Sequence, residues 1–215
     1  MYDLTAALSG TELEPGTNVL VAGAPLTGKR RFVFDVLASG ARNGEGSIVV
    51  TTKDSADRVL SEFSAAVDTG TGIGTNVETA DIGVVDCVTK QRGVGSVEDG
   101  PRVKYASSPV DMTGVGIKFS EFLQEFYEVR GLRHNRILMH SVSTLLMYSN
   151  LQTVFRFLHV FTGRVQSADA LGIYVIDSTA HEDQTMNTLK QLFDGVIELE
   201  RSDGPEPTIR TAGLP

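Results

Sequence analysis

The sequence has little cysteine, little lysine and no long apolar run. Cys87 is the only cysteine among 215 residues, so the chain cannot close a disulfide on itself or build a four-cysteine metal site. The thiol lies in the strand-like run IGVVDCVT, which favours burial. No stretch approaches the roughly 18 apolar residues of a membrane helix, and no basic start leads into an apolar segment. We therefore expect no membrane span, no signal peptide and a cytoplasmic location.

Basic residues are outnumbered by acidic ones. The chain carries 19 Lys and Arg against 27 Asp and Glu, for a formal net charge of −8, and only six of the basic residues are lysines. Proteins that coat nucleic acid need Lys and Arg to neutralise phosphates, so this balance argues against nucleic-acid binding. An acidic, lysine-poor composition is typical of salt-adapted cytoplasms, although ordinary acidic proteins share it.

Short β-branched apolar runs alternate with longer amphipathic segments along the chain. The runs are near-continuously hydrophobic, as strands of a parallel sheet covered on both faces must be. A closing pair of strands, interrupted by RSDGPEP, indicates a hairpin spanning 195–212. We predict one domain, residues 1–215, with an α/β fold: a mainly parallel sheet sandwiched by helices, ending in a C-terminal β-hairpin. The predicted strands are 17–23, 46–52, 81–88, 135–141 and 171–178, and the predicted helices are 29–42, 54–68, 117–130, 151–169 and 181–193.

Two segments do not fit the alternation. The stretch TGTGIGTN (69–76) follows a helix and precedes a strand, the reverse of a dinucleotide-binding fingerprint, so it is interpreted as a connector. Residues 89–116 form a predicted long loop, and loops of that length often carry function. The run VKYAS within it indicates a short strand.

The stretch GAPLTGK has the spacing of a phosphate-binding loop. It follows a β-branched strand and opens an amphipathic segment, so its backbone N–H groups would converge at a helix N-terminus. The lysine would reach the terminal phosphates of a nucleotide. The candidate nucleotide-binding residues are Gly23, Ala24, Pro25, Leu26, Thr27, Gly28, Lys29 and Arg30.

The positions that normally hold a magnesium ion are unusual. Arg30 stands where the pattern has a Ser or Thr hydroxyl, and it either neutralises phosphate directly or points outward from the first helical turn. In the run RILMHS, His140 stands at the position where P-loop ATPases end a hydrophobic strand with an Asp, and a buried, hydrogen-bonded imidazole is expected there. Asp177, in YVIDST, ends the fifth predicted strand and is either a surviving Mg²⁺ ligand or, as we favour, an N-cap-like residue before the helix at 181–193.

Four segments together resemble the KaiC-like branch of the RecA-superfamily ATPases. They are LEPGTNVLVAGAPLTGK, GSIVVTTKDSADRVL, RILMHSVSTLLMYSN and LFDGVIELE, and the resemblance runs from Pro15 to Glu200. The GKRR loop, SSPVDMTGVGIKF and HSVSTLLMYS are further similar to a haloarchaeal-type group of these proteins. The resemblance implies ATP or a related nucleotide as ligand. It also implies assemblies in which a neighbour's basic residue completes the site, for which Arg201 and Arg210 are candidates.

The departures from the family pattern concern hydrolysis. Active relatives place adjacent glutamates after the second strand to activate water, whereas this chain has Lys53 and Asp54. Asp54, one position later than the glutamates, is the candidate base, and Asp177 is the other residue that could substitute for them. Arg30, Lys53 and His140 are thus three departures from the family pattern, and all three concern groups needed for phosphoryl transfer. We therefore predict a nucleotide-binding pseudo-ATPase that acts in regulation through protein partners or self-association, with little role for Mg²⁺.

Two alternatives stay open at this point. One is an active ATPase of the recombinase or clock type with an unusual metal arrangement. The other is an interaction scaffold that binds no nucleotide.

Overall fold

The computed structural model describes residues 1–69, 80–93, 97–202, 204 and 206–214. Its strands are β1 (Tyr2–Asp3), β2 (Glu12–Leu13), β3 (Asn18–Gly23), β4 (Gly46–Thr51), β5 (Ile82–Asp86), β6 (Val103–Tyr105), β7 (Asn135–His140), β8 (Leu171–Asp177), β9 (Gly195–Glu200) and β10 (Thr208–Ala212). Its helices are α1 (Lys29–Arg42), α2 (Ala56–Thr69), α3 (Met112–Gln124), α4 (Val142–Tyr148), α5 (Leu151–Ser167) and α6 (Asp183–Lys190). A π-helical turn, Glu125–Val129, extends α3, and a 3₁₀ turn, Ser178–Ala180, follows β8.

Within the described residues, eight strands form one sheet in the order β10-β9-β3-β8-β7-β4-β5-β6. All neighbours pair in parallel except β9 and β10, which form the predicted antiparallel hairpin. Every residue of β3, β4, β5 and β7 is buried, which explains their unbroken apolar sequences. The predicted α/β fold class is therefore confirmed.

The two faces of the sheet bury two separate apolar cores. Successive strand residues point to opposite faces, so Val19 and Val21 of β3 join α1 and α2, whereas Leu20 and Ala22 join the other layer. That second layer is aromatic: Phe119 of α3 stacks on Phe161 of α5 with ring centroids 4.2 Å apart. The sheet is thus sandwiched, and α1 and α2 lie side by side on one face.

The predicted long loop at 89–116 is shorter in the structure. The predicted short strand is present as β6, and α3 begins at Met112 because the Asp111 side chain accepts a hydrogen bond from Gly114 N at 2.8 Å. Sequence periodicity placed the helix start at 117 and missed this cap. Of the predicted connector 69–76, Thr69 ends α2, and 70–76 lie outside the described residues.

A buried arginine anchors the N-terminal segment. Arg136 of β7 has no exposed surface and pairs with Glu45 at 2.6 Å, donating also to Val36 O, Ser39 Oγ and Asp3 O at 2.7, 2.9 and 3.0 Å. It thereby ties the short β1–β2 hairpin to α1 and to the loop before β4. Neither that hairpin nor α4 was predicted from the sequence.

Two predictions about apolar character are tested directly. Cys87 is fully buried, as expected, and burial raises the pKa of its thiol. None of the helices among the described residues combines the length and apolar character needed to cross a bilayer.

Candidate functional site

The candidate site lies where four adjacent parallel strands end. The register aligns Gly23 of β3 with Asp177 of β8, and Thr51 of β4 with His140 of β7. Carboxyl ends of parallel strands share one edge of a sheet, and ligands of open α/β folds bind at this edge. The fold therefore brings the loop after β3 together with the ends of β4, β7 and β8.

The β3–α1 loop has the close packing that its glycines require. A Cβ on Gly23 would lie 2.4 Å from Leu199 O, so only glycine fits beside β9. Gly28 adopts φ 86° immediately before α1, and Thr27 Oγ1 donates to Ala24 O at 2.9 Å across the turn. Leu26, at the tip, is 90% exposed.

Lys29 is folded back over this loop. Its ammonium donates to Gly23 O at 2.7 Å and Ala24 O at 2.6 Å, and it lies 3.0 Å from Asp177 Oδ1. The Asp177 carboxylate is thus an ion-pair partner of Lys29. The favoured N-cap role for Asp177 before the helix predicted at 181–193 is wrong, because α6 begins at Asp183 with Glu182 as its N-cap residue. Asp177 precedes the 3₁₀ turn instead, and its side chain makes no capping hydrogen bond there.

Arg30 lies against α2. Its guanidinium bonds the carboxylates of Asp54 and Glu62 and sits 5.4 Å from the centroid of the Phe34 ring. Burial alone would lower the pKa of Arg30, but the bonds to Glu62 and Asp54 outweigh it and raise the pKa. The side chain therefore does not simply point outward from the first turn of α1.

Arg58 completes a four-residue ion network. Its guanidinium lies 3.3 Å from Asp54 Oδ1 and 3.1 Å from Glu62 Oε1, so each arginine contacts both carboxylates. The buried Asp54, the candidate base, is therefore held by two cations. Arg58 and Glu62 were not singled out from the sequence, although the four-residue spacing of 54, 58 and 62 places all three on one side of α2 and its N-terminal approach.

His140 is buried beside this network. Only 8% of the residue is exposed, so the expected burial is present. Its Nδ1 lies 3.9 Å from Asp54 Oδ2, too far for a hydrogen bond between these two side chains. Burial, reinforced by the positive charge of Arg30, lowers the pKa of His140 to about 4. The imidazole is therefore neutral near pH 7. The following peptide bond, to Ser141, is cis, and Ser141 N donates to Thr52 Oγ1 at 2.8 Å.

These residues line one cavity of about 860 Å³. It extends from the β3–α1 loop along the groove between α1 and α2. Lys53 is exposed on its wall, and within the described part of the chain no carboxylate is paired with it. The lining residues are Pro25, Leu26, Thr27, Gly28, Lys29, Arg30, Arg31, Phe34, Asp35, Lys53, Asp54, Arg58, Glu62, Ala65, Ala66, Thr69, His140, Ser141, Val175 and Asp177.

The residues present do not suit the Mg²⁺ that a P-loop ATPase would hold. Arg30 offers no acceptor oxygen and His140 offers a nitrogen, whereas hard cations prefer oxygen. The carboxylates of Asp54 and Asp177 are paired with cations. Over the described ranges, no group of three or more His, Cys, Asp or Glu could hold a metal ion.

The arginines of the terminal hairpin lie apart from this cavity. Arg201 and Arg210 are exposed, and Arg210 Nη1 lies 3.2 Å from Glu200 Oε1 of the adjacent strand. Neither belongs to the cavity lining, so within one chain they do not contribute to the site.

A buried aspartate that the sequence reading missed positions α2. Asp86, at the end of β5, is fully buried and accepts hydrogen bonds from Ala56 N at 2.7 Å and from the backbone of Val88 and Thr89 at 2.7 and 2.8 Å. It therefore fixes the start of the helix that carries Arg58 and Glu62. The sequence did contain a signal for this residue, because Asp86 is an acidic residue at the end of an apolar run.

A family model matches residues 16–199, most of the chain. The chain belongs to DUF7504, a family of unknown function. No match was found among curated proteins. The matched residues of this DUF7504 chain include the β3–α1 loop, Asp54, His140 and Asp177, so the whole cavity lies inside the family region.

Two solved structures from Pyrococcus horikoshii resemble the DUF7504 chain. An uncharacterized protein crystallised in complex with an unknown peptide gives a TM-score of 0.68 at 12% identity, over 97% of each chain. A KaiC-like protein from strain OT3 gives a TM-score of 0.55 at 16% identity, over 92% of this chain and 77% of that one. These likenesses support a KaiC-like, RecA-like fold. The haloarchaeal group stays a prediction.

Proposed function

We propose that this chain binds ATP or a related nucleotide on the β3–α1 loop, hydrolyses it slowly or not at all, and acts in regulation through protein partners. The observation that supports the proposal is the set of residues that line one cavity. Residues 25–29 of the loop line it together with Arg30, Lys53 and His140, the three residues that replace the hydroxyl, the base and the metal-binding carboxylate of the family pattern. The nucleotide-binding part of the pattern is intact, and the hydrolytic part is replaced.

The charge of the cavity wall favours an anion. Five cationic side chains line it, against four carboxylates. Lys29 and Asp177 pair with each other, as do Arg31 and Asp35 at 3.6 Å. The ion network is neutral as a set, which leaves Lys53 as the cation available to a ligand. A phosphate chain on the loop amides would meet Lys29 and Lys53 together.

The size of the cavity suits a whole nucleotide. Its volume of about 860 Å³ falls within the roughly 300–1,000 Å³ of ligand pockets. One end is the polar loop, and the other is walled by Phe34, Ala65 and Ala66 of the α1–α2 groove. The phosphates would occupy the loop, and a nucleoside would cover the apolar wall.

Calorimetric titration of the full chain with ATP and with a non-hydrolysable analogue tests binding. Each titration is run with Mg²⁺ and with EDTA, and phosphate release is measured in parallel. We expect similar affinities in both buffers and little release. Lys29→Ala should weaken binding at least tenfold, about 1.4 kcal/mol. Lys190→Ala, which removes a lysine paired with Glu198 outside the cavity, is the matched control and should bind normally.

Each alternative function predicts a different result. Robust phosphate release that requires Mg²⁺ and is lost in Lys29→Ala would establish an active ATPase of the recombinase or clock type. No binding of either nucleotide in any buffer would leave the interaction scaffold.

The partners are proposed to be proteins. A structural neighbour was crystallised with an unknown peptide, which supports a search for peptide ligands of this chain. The net charge of −8 supports the prediction that the chain binds no nucleic acid. The cytoplasmic location is likewise a prediction from the sequence.

A further inference from the structure

We propose that Arg30 is a phosphate-binding residue and that its ion pair with Glu62 keeps it from the phosphate. Glu62 thereby sets the affinity of the cavity for metal-free nucleotide. This inference rests on the proposed nucleotide binding. It adds a specific event: the terminal phosphate replaces the Glu62 carboxylate on the Arg30 guanidinium. Glu62 then keeps Arg58 as its cationic partner.

The Arg30 guanidinium has donor capacity left over. An arginine carries five N–H donors, and here Nη1 bonds Asp54 and Nε bonds Glu62. Nη2 is buried, and among the described residues it has no hydrogen-bond partner. A buried donor without an acceptor is costly, and phosphate oxygens would satisfy it.

Glu62 is the partner that can be exchanged. Its side chain is 31% exposed, whereas that of Asp54 is 10% exposed. Asp54 is also fixed through its backbone, because Asp54 N and O both bond Thr51 Oγ1, at 3.1 and 2.8 Å. Releasing Glu62 costs less, since solvent can reach it and Arg58 still lies 3.1 Å away.

The position of Arg30 in the loop explains why a phosphate would displace Glu62. Arg30 directly follows Lys29, where the usual hydroxyl would hold a metal ion against the phosphates. A guanidinium that turns from Glu62 to the phosphate supplies positive charge at that place. Together with Lys53, it would supply two charges, the charge of the divalent cation that this site does not suit.

A thermodynamic cycle on ATP binding in EDTA tests the proposal, with Glu62→Gln and Arg30→Ala singly and together. We expect Glu62→Gln to raise the affinity about fivefold, because the neutral amide competes less well for Arg30. Arg30→Ala should lower it about tenfold and should abolish the gain from Glu62→Gln. Arg30→Lys, which keeps the charge and loses the planar fork, should recover only part of the affinity.

Glu121→Gln is the matched control. Glu121 also lies on a helix between two cations, Lys104 at 3.0 Å and Lys118 at 3.5 Å, but it does not line the cavity. It removes the same charge from the chain and should leave ATP affinity unchanged. Circular dichroism of each variant verifies that the fold is kept.

The outcomes separate this inference from the proposed function. One contrary outcome is that Lys29→Ala loses binding while Glu62→Gln binds ATP like the parent. Another is that the gain from Glu62→Gln persists in the Arg30→Ala background. Either would refute the competition between Glu62 and phosphate for Arg30 and would leave the proposed nucleotide site standing. If the parent does not bind nucleotide at all, both are refuted.

Discussion

The ammonium of Lys29 lies 3.0 Å from the carboxylate of Asp177, joining the first turn of α1 to the end of β8. The Asp177 carboxylate, at the end of a strand adjacent to β3, therefore competes with any bound phosphate for the Lys29 ammonium. The contact also occupies the carboxylate that could otherwise serve as a metal ligand.

Asp177→Asn should raise the affinity for ATP in EDTA by about threefold to tenfold. The change removes a negative charge beside the phosphate site and frees Lys29 from its carboxylate partner. Titrations in EDTA and in Mg²⁺ measure the effect. An affinity that instead falls, and falls only in Mg²⁺, would identify Asp177 as a metal ligand and support the active ATPase.

Restoring the three replaced positions should produce hydrolysis. The variant Arg30→Ser, His140→Asp and Lys53→Glu regains a hydroxyl, a carboxylate and a base, and we expect Mg²⁺-dependent phosphate release at least about tenfold above the parent. Recovery should be partial, because Asp54 and Glu62 lose a cationic partner with Arg30. The same variant carrying Lys29→Ala should release no phosphate, and release that survives this change would come from elsewhere.

His140 should make the fold sensitive to acid. Its pKa is lowered to about 4 from an ordinary 6.5, so between these values the unfolded chain binds a proton that the folded chain does not. The free energy of unfolding therefore falls as pH decreases from 6.5 towards 4, by up to about 3 kcal/mol. Urea unfolding across this range should give a shallower pH slope for His140→Asn than for the parent. His159→Asn, which removes an exposed imidazole, is the control, and equal slopes for His140→Asn and parent would contradict the assignment.

Arg136→Met should destabilise the fold by about 3–5 kcal/mol. The fully buried guanidinium bonds Glu45 and the carbonyls of Val36 and Asp3. Methionine leaves the Glu45 carboxylate without its cationic partner, although Val36 O still accepts a hydrogen bond from Ser39 Oγ at 2.9 Å. Denaturant unfolding measures the loss. Arg133→Met removes an exposed arginine near the same strand and should cost less than about 1 kcal/mol. Similar losses in both variants would mean that the buried network contributes little.

Much of the fold could be predicted from the sequence because its signals are local. The continuous apolar runs of β3, β4 and β7 are fixed by burial of both sheet faces, which every residue of the run experiences. The β1–β2 hairpin and α4 were missed because they give no such local signal. Two-residue strands and a seven-residue helix are too short to show a periodicity, and Arg136 and neighbouring elements stabilise the hairpin.

The loop was likewise determined by the sequence, since Gly23 to Lys29 are consecutive and their spacing alone shapes the turn before α1. What its side chains contact was decided only by tertiary structure. Lys29 finds Asp177 across adjacent strands, and Arg30 finds Asp54 and Glu62, 24 and 32 residues away, because α1 packs beside α2. An arginine has the same intrinsic chemistry in either predicted orientation. The orientation of Arg30 is determined by the carboxylates that helix packing brings close to it, and the sequence pattern of α1 does not indicate which carboxylates these are.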